Sequence, residues 1–340
     1  MIKLIEKNKE FDDFFKDDIF YIRIMSLLKA YSTNYNFALF YKQLDDNGNI
    51  TSIISRLDND YTVCHNDDFD LLELEDFFTR IGFNSILGDD ENGKSIFEHS
   101  KRLGYNMENS LFLKNESTPT YMAILNHQGE MESAVVDMES LNKMDKNFID
   151  EKDNIFENAK YTIVDSDNPE LLEYILKKYE CKSNFILDPV SAKKAKKIRH
   201  LIKYFHTIKP NRFETEALCG FKIKGNEDLR RAGRFFIEQG VENVFISLDA
   251  DGIYYITKDG EEGTLACCDK IDVKNVTGAG DSFVAGIGYG YVNNLSIKDT
   301  LKYAMAMSII TITHEETINP DMCHNSVENF VKNNKWVEKN

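Results

Sequence analysis

From residue 161 onward, short apolar runs alternate with amphipathic helical patterns, and each run ends in a polar residue. Tyr161–Val164 ends in Asp165-Ser166-Asp167, and a helical pattern, Glu170–Tyr179, follows. Asn184–Leu187 ends in Asp188-Pro189, and after another helix His206–Ile208 ends in Lys209-Pro210-Asn211. Val244–Leu248 and Ile253–Thr257 flank the turn Asp249-Ala250-Asp251-Gly252, Lys270–Asp272 supplies the last strand, and helices Ser282–Tyr291 and Ile297–Thr313 close the series. This order predicts an α/β domain with a doubly wound, mostly parallel sheet. Ligand sites in such sheets gather at the carboxyl ends of the strands. Asp165, Asp167, Asp188 and Asn211 all fall there. A single polar residue at such a place reads as a helix cap, but recurrence at successive strand ends favours a site.

One stretch gives that site its chemistry. Asn275-Val276-Thr277-Gly278-Ala279-Gly280-Asp281-Ser282-Phe283 is a turn of small residues running into a helix. The N–H groups of such a turn can converge on one anion, and the helix dipole adds positive potential. Asp281 at the helix start can take a proton from a hydroxyl while the turn holds a phosphoryl group in flight. The competing reading is a glycine turn with Asp281 as an N-cap. Upstream, Asn211-Arg212-Phe213-Glu214 places an amide and an acid three apart at a helix start. That spacing suits water molecules around Mg2+, and equally a capping box. The apolar stripe Met305, Ile309, Ile312 reads as core.

A second glycine-rich stretch, Gly88-Asp89-Asp90-Glu91-Asn92-Gly93-Lys94-Ser95, matches the P-loop spacing literally. A strand-like Phe83–Leu87 precedes it and a helical Ser95–Leu103 follows. Three consecutive acids would repel a polyphosphate, so a structural role is expected. Thr120–Asn126 and Met131–Val136 predict a hairpin, with His127 as a solvated turn residue.

The net charge of −16 argues against a nucleic-acid-binding surface. The basic run Lys193–Arg199 reads as a solvated helix face. Cys64, Cys181, Cys219, Cys267, Cys268 and Cys323 show no CxxC spacing and read as free thiols of a reducing compartment. No apolar run approaches a membrane span and no signal peptide is evident, so a cytoplasmic protein is expected.

Residues 1–87 read as a small α/β unit. Helical patterns cover Lys9–Lys16 and Ile19–Ala30, strands Phe37–Tyr41, Ile50–Arg56 and Tyr61–Cys64, and an acidic helix Phe69–Ile81, with a turn at Asp45–Asn49. The stretch looks weakly like the N-terminal half of GNAT-type acetyltransferases in pattern. It lacks the loop that grips acetyl-CoA pyrophosphate in that family, so acetyl transfer is not inferred.

The run Thr277 to Phe283, the Asn211-x-x-Glu214 motif and the Gly88 segment together resemble the ribokinase-like (PfkB) sugar kinases. Asp188-Pro189-Val190-Ser191-Ala192, His206 to Glu214, Asn275 to Asp281 and Asn319-Pro320-Asp321 are similar to the pseudouridine-kinase branch of that family. The resemblance covers about residues 88–330. It implies a ribokinase-like kinase domain over 88–335, with a small β lid formed by the hairpin. The activity implied is phosphoryl transfer from ATP to the 5′-hydroxyl of a nucleoside, pseudouridine first, with no membrane or nucleic-acid partner. Asp281 would be the base, and Gly278, Ala279 and Gly280 the anion hole. Asn211 and Glu214, with Asp188, would manage Mg2+. Ser247, Gly252, Thr277 and Asn319 would lie by the nucleotide, and Asp165 and Asp167 by the acceptor. A monovalent cation near Asn275 and a homodimer fit the resemblance as well. In the family the turn at residue 249 usually carries glycine, so Asp249 is a departure.

The larger departure lies at the start. The family opens with a strand ending near a sugar-binding Asp and then a Gly-Gly-x-x-x-Asn segment; neither is found in residues 1–87. A central strand is then missing from the sheet, at a cost in stability, unless Phe37–Tyr41 or Ile50–Arg56 fills the gap. Two readings follow: an active kinase whose N-terminal unit rebuilds the acceptor pocket, or a non-catalytic nucleotide-binding or regulatory fusion protein.

Overall fold

A computed structural model describes residues 39–44, 50–57, 60–65, 85–103, 107–125 and 131–339. The helical patterns at Lys9–Lys16, Ile19–Ala30 and Phe69–Ile81, and the turns at Asp45–Asn49 and His127, lie outside the described residues. The chain divides into two compact units, Met1–Met122 with Val135–Leu141, and Ala123–Ala134 with Asn142–Asn340.

In the first unit, β1 (Leu39–Leu44), β2 (Ile50–Leu57) and β3 (Asp60–His65) form an antiparallel three-stranded sheet. All three were expected from the sequence. Among the described residues these three strands pair only with one another. β4 (Ile86–Gly88) pairs in parallel with β5 (Leu111–Leu113), and the helix Glu91–Leu103 connects them. β6 (Thr120–Leu125) and β7 (Met131–Asp137) form the two-stranded sheet expected of the hairpin.

The P-loop-like stretch builds the β4-to-helix corner, and its residues are bound to their own loop. Asp90 accepts from the Gly93 N–H at 2.8 Å, the Thr118 N–H at 2.9 Å and the Thr118 hydroxyl at 2.6 Å. The Gly88 N–H donates to Thr118 Oγ1 at 3.0 Å, and Asp89 accepts from the Asn115 N–H at 2.9 Å. A Cβ on Gly93 would stand 2.1 Å from the Gly88 carbonyl oxygen, which is why this corner needs glycine. Lys94 pairs with Glu91 at 3.1 Å at the surface instead of reaching into the loop.

The second unit carries a seven-stranded sheet. Its order is β14-β13-β12-β11-β10-β9-β8, where β8 is Tyr161–Asp165, β9 Asn184–Asp188, β10 Thr207–Ile208, β11 Asn243–Ser247, β12 Ile253–Thr257, β13 Glu262–Cys267 and β14 Trp336–Lys339. The pairings from β8 to β11 are parallel, and those from β11 to β14 antiparallel. Among the described residues β8 is the terminal strand on its side. One expectation fails: Lys270–Asp272 is irregular, and the strand pairing with β12 is Glu262–Cys267.

Because strand side chains alternate between faces, two cores form. Phe185, Leu187, Ile208, Val244, Ile246, Tyr254 and Ile256 enter one, packed by the helices Pro169–Lys178, Arg212–Cys219 and Asn226–Glu238. Ile186, Phe245, Ile253, Tyr255 and Leu265 enter the other, packed by the helices Ala279–Val292 and Ile297–Ile312. Helices on both faces make the sheet doubly wound, as the alternation requires. The stripe residues Met305 and Ile309 are core. The basic run sits largely exposed on and just after the helix Ala192–Lys197. Cys181, Cys219, Cys267, Cys268 and Cys323 are free thiols. No helix of the described residues is long and apolar enough to cross a membrane.

Candidate active site

The four parallel strands deliver their last residues side by side. Asp165 ends β8 directly opposite Asp188, which ends β9. Lys209 follows β10, and Asn211 bridges to Ser247 at the end of β11. The helix Ala279–Val292 starts at this same end. Gly278 is its N-cap with φ +83°, a conformation glycine adopts without a Cβ penalty. The N–H groups of Gly278, Ala279, Gly280 and Asp281 lead the helix and have no intrahelical acceptor. The Ala279 N–H reaches the Val276 carbonyl at 3.4 Å and the Asp281 N–H its own carboxyl, which leaves those of Gly278 and Gly280 without an acceptor among the described residues.

The turn is braced from behind. Asn275 Oδ1 accepts from the Thr277 N–H at 2.9 Å, and its Nδ2 donates to the Glu315 carbonyl at 3.0 Å. Lys274 N–H donates to the Ile312 carbonyl at 2.8 Å. These bonds tie the turn to the segment after the helix Ile297–Ile312. Asn319 fixes the segment that follows: its Nδ2 donates to the Ile310 carbonyl at 2.8 Å and its Oδ1 accepts from the Asp321 N–H at 2.9 Å. Two apolar side chains on the tied loops face solvent, Val276 at 69% and Ile318 at 59% exposure. The sequence reading did not single them out.

Charge at the strand ends is unbalanced toward negative. Asp281 keeps solvent contact, yet the atoms around it raise its carboxyl above the usual aspartate range; Asp188 adds to the rise and Lys209 opposes it. Burial likewise raises Glu214, which is 4% exposed, against the pull of the Asn211 N–H and with Asp188 adding. Burial raises Asp165 too, despite the N–H that Asp167 donates to it at 2.8 Å. Three carboxyls within the field of Asp188 therefore bind protons more readily than free side chains do.

Asn211 and Glu214 form a reciprocal capping box, with Asn211 Oδ1 accepting from the Glu214 N–H at 2.9 Å and Glu214 Oε2 from the Asn211 N–H at 2.8 Å. The structural reading of this motif is thus realised, and the Glu214 carboxyl is held at the strand ends by it. Asp167 pairs with Lys194. Asp188 Oδ1 accepts from the Val190 N–H at 3.0 Å. Val190 has φ +64°, and the Ser191 N–H donates across it to the Pro189 carbonyl at 2.7 Å, a tight and strained turn for a β-branched residue. Asp249 takes the left-handed φ of +52°, and Gly252 at φ +95° closes that turn. Thr277 is exposed beside the anion turn.

Sequence reasoning gave Lys209 no role. Its side chain is 8% exposed and its ammonium lies 3.4 Å from Asp188 Oδ2. The available signal was a lysine directly after a fully buried strand, where a charge persists only with a partner.

The pfkB family carbohydrate kinase signature matches residues 74–323. The chain belongs to the pfkB carbohydrate kinase family. The match opens at residue 74, ahead of Gly88. The kinase is 32% identical to the pseudouridine kinase of Escherichia coli over 250 residues, 73% of this chain and 79% of that protein. A protein from Clostridium perfringens, solved as a candidate sugar kinase, is 48% identical, with a TM-score of 0.70 over 89% of this chain and 94% of that one. Ribokinase of Arabidopsis thaliana, solved with ribose and ATP, superimposes with a TM-score of 0.65 over 87% of this chain and 96% of that one, at 18% identity. The last likeness shows the ribokinase-like fold. The chain is a PfkB-type carbohydrate kinase, a phosphotransferase acting on small molecules.

Proposed function

We propose that this kinase transfers the γ-phosphoryl group of ATP to the 5′-hydroxyl of a nucleoside, with pseudouridine the first acceptor to test. The observation that carries the reading is Asp281 at a glycine-initiated helix start, its proton affinity raised by its surroundings. A carboxylate whose proton affinity is raised is a better base than an ordinary aspartate. Asp281 takes the proton of the acceptor hydroxyl, and that oxygen attacks the γ-phosphorus. The bond to the β–γ bridging oxygen breaks, and ADP leaves with the electron pair. The N–H groups of Gly278, Ala279 and Gly280 hold the transferring oxygens as their charge spreads. Val276 and Ile318 offer apolar surface suited to an adenine base. The likeness to pseudouridine kinase supports the choice of acceptor.

Mg2+ fits the residues present. Among the described residues no three acidic, histidine or cysteine side chains converge as a full ligand set would. Mg2+ retains several waters and takes one or two carboxylates beside the phosphates. Asp188 and Glu214 supply such carboxylates, and the excess negative charge around Asp188 calls for a cation. Bound with ATP, Mg2+ would neutralise phosphate charge.

The test is ADP release with Mg2+ and pseudouridine, uridine, ribose or no acceptor. Turnover that requires pseudouridine supports the proposal. Turnover only with ribose or uridine replaces the acceptor, and folded protein that binds ATP without transferring to any of them overturns the kinase reading for these acceptors.

A further inference from the structure

The run Asp188-Pro189-Val190-Ser191 after β9 contains a side chain that neither the fold nor the chemistry above uses. Val190 holds a left-handed φ of +64°. A β-branched residue is an outlier there, because its Cβ crowds the carbonyl oxygen that follows. Glycine would make the same turn without that penalty. The isopropyl group that causes the strain is 45% exposed, so packing within the fold offsets little of it.

The surroundings hold the turn in this shape. Asp188 Oδ1 accepts from the Val190 N–H at 3.0 Å, and the Ser191 N–H donates to the Pro189 carbonyl at 2.7 Å. That carbonyl also accepts from the Ser166 hydroxyl at 2.6 Å, and Ser166, fully buried, belongs to the loop after β8. Beyond Val190, Ser191 caps the helix Ala192–Lys197, and Lys194 of that helix pairs with Asp167 of the same β8 loop. The turn is therefore fastened to the neighbouring loop on both sides of Val190, while the side chain stays outside these bonds. Strain that is over-determined in this way collects at ligand sites. This turn stands at the carboxyl ends of parallel strands, where such sheets bind their ligands.

The neighbours say what kind of ligand. Asp165 and Asp188 end β8 and β9 opposite each other. Ionised carboxylates accept hydrogen bonds from the hydroxyls of a sugar. Val190 has nothing to offer a hydroxyl. An exposed aliphatic group beside two carboxyls suits a ligand with hydroxyls at one end and a flat face at the other. A nucleoside has both, since every base carries a π-face; a free pentose has only the first.

We propose that Val190 makes this kinase select nucleosides over free sugars, its isopropyl group packing on the base of the acceptor. This rests on the nucleoside-kinase reading above and adds to it the residue that tells the two acceptor classes apart.

The experiment measures calorimetric binding and ADP release with pseudouridine, uridine and ribose, for the parent, Val190→Gly, Val190→Asn and Val190→Leu. Val190→Gly removes the strain and the apolar group together, so it should melt no lower than the parent. Its nucleoside-to-ribose preference should fall roughly tenfold, with the loss in KM and not in kcat. Val190→Asn suits the left-handed turn but is polar, and should lose the same preference. Val190→Leu keeps the apolar surface and should retain most of it. An unchanged preference in folded Val190→Gly overturns the inference. So does a fall in kcat with the preference intact, which would reduce the turn to a holder of the Asp188 carboxyl. Parent protein that binds ribose and no nucleoside also overturns it, while turnover with ribose would leave the chain a kinase. Parent protein that binds nucleosides but transfers to none defeats the proposed reaction alone, and the binding ratios still decide Val190. Parent protein that binds none of the three defeats both.

Discussion

The chain contains two corners of nearly the same make: a glycine-rich turn that opens a helix, with an aspartate in it. At the first, Gly88 to Gly93, the aspartate is fully used. Asp90 takes three hydrogen bonds, two of them from Thr118, and these hold its carboxyl below the ordinary range. At the second, Gly278 to Asp281, the carboxyl has no partner among the described residues beyond its own N–H, and its surroundings raise its proton affinity. The first corner spends its polar groups on its own shape. The second leaves the Asp281 carboxyl and the N–H groups of Gly278 and Gly280 without a partner elsewhere among the described residues, at some cost in stability. The difference cannot be read from glycine spacing, which gives the first corner the better match to a phosphate-binding motif. It follows from where the hydrogen bonds go.

The comparison is broken most directly at the aspartates. Asp281→Asn is expected to lower kcat by about a thousandfold or more in ADP-release assays. It should also raise the melting temperature at pH 7. The sign follows from the raised carboxyl: the folded state disfavours the charge, and that penalty is present above the folded pKa and disappears as pH falls below the unfolded one. The melting temperatures of parent and variant should therefore converge near pH 3. The same raised carboxyl predicts that kcat/KM falls on the acid side at a higher pH than an ordinary aspartate would give, with Asp188 pushing the limb up and Lys209 holding it down.

Gly280→Ala sharpens the second corner. Its Cβ displaces the Lys209 ammonium, which sits at the end of a flexible chain, so kcat should fall while the fold persists by circular dichroism. Gly93→Ala probes the first corner with the opposite result. Its Cβ meets the backbone oxygen of Gly88, which has no easy retreat, so denaturant unfolding should show a loss of roughly 2 kcal/mol. The smallest effect is expected at the turn after β11. Asp249→Gly relieves a left-handed backbone and should add about 1 kcal/mol of stability.

Much of the second unit was legible because its strands are strong apolar runs ended by Asp, Lys or Asn. The alternation pointed to a doubly wound sheet, without its strand order, and placed Asp188 and Asn211 at the carboxyl ends of strands before any coordinates. The antiparallel half was harder. Glu262–Cys267 contains glycine and alanine, which carry little strand preference, and is a strand because β12 and β14 flank it. Lys270-Ile271-Asp272 alternates as a strand should and has no neighbour to pair with. β14 was missed for the same reason: four residues beyond a helix give a weak pattern, and pairing with β13 decides it. In the site, Asn211-x-x-Glu214 supported two uses, and the capping box became visible only with the hydrogen bonds. Asn319 was assigned to the nucleotide from the resemblance; its amide hydrogen bonds, to the Ile310 carbonyl and from the Asp321 N–H, were not legible in the sequence. The place of Lys209 could not be found from spacing, since the turn it approaches, at Gly280, lies seventy-one residues later (280 − 209 = 71).

The central claim is that the two corners differ in kind, and one paired assay addresses it. ADP release at saturating ATP, Mg2+ and pseudouridine would be measured for Asp281→Asn and Asp90→Asn beside the parent, with melting temperatures at pH 7. The account predicts that Asp281→Asn is folded, no less stable and without turnover, whereas Asp90→Asn turns over and melts lower. Its depressed carboxyl contributes stability above the unfolded pKa, and that contribution is lost as pH falls through the folded one. Turnover retained in folded Asp281→Asn, or lost in folded Asp90→Asn, would contradict the account.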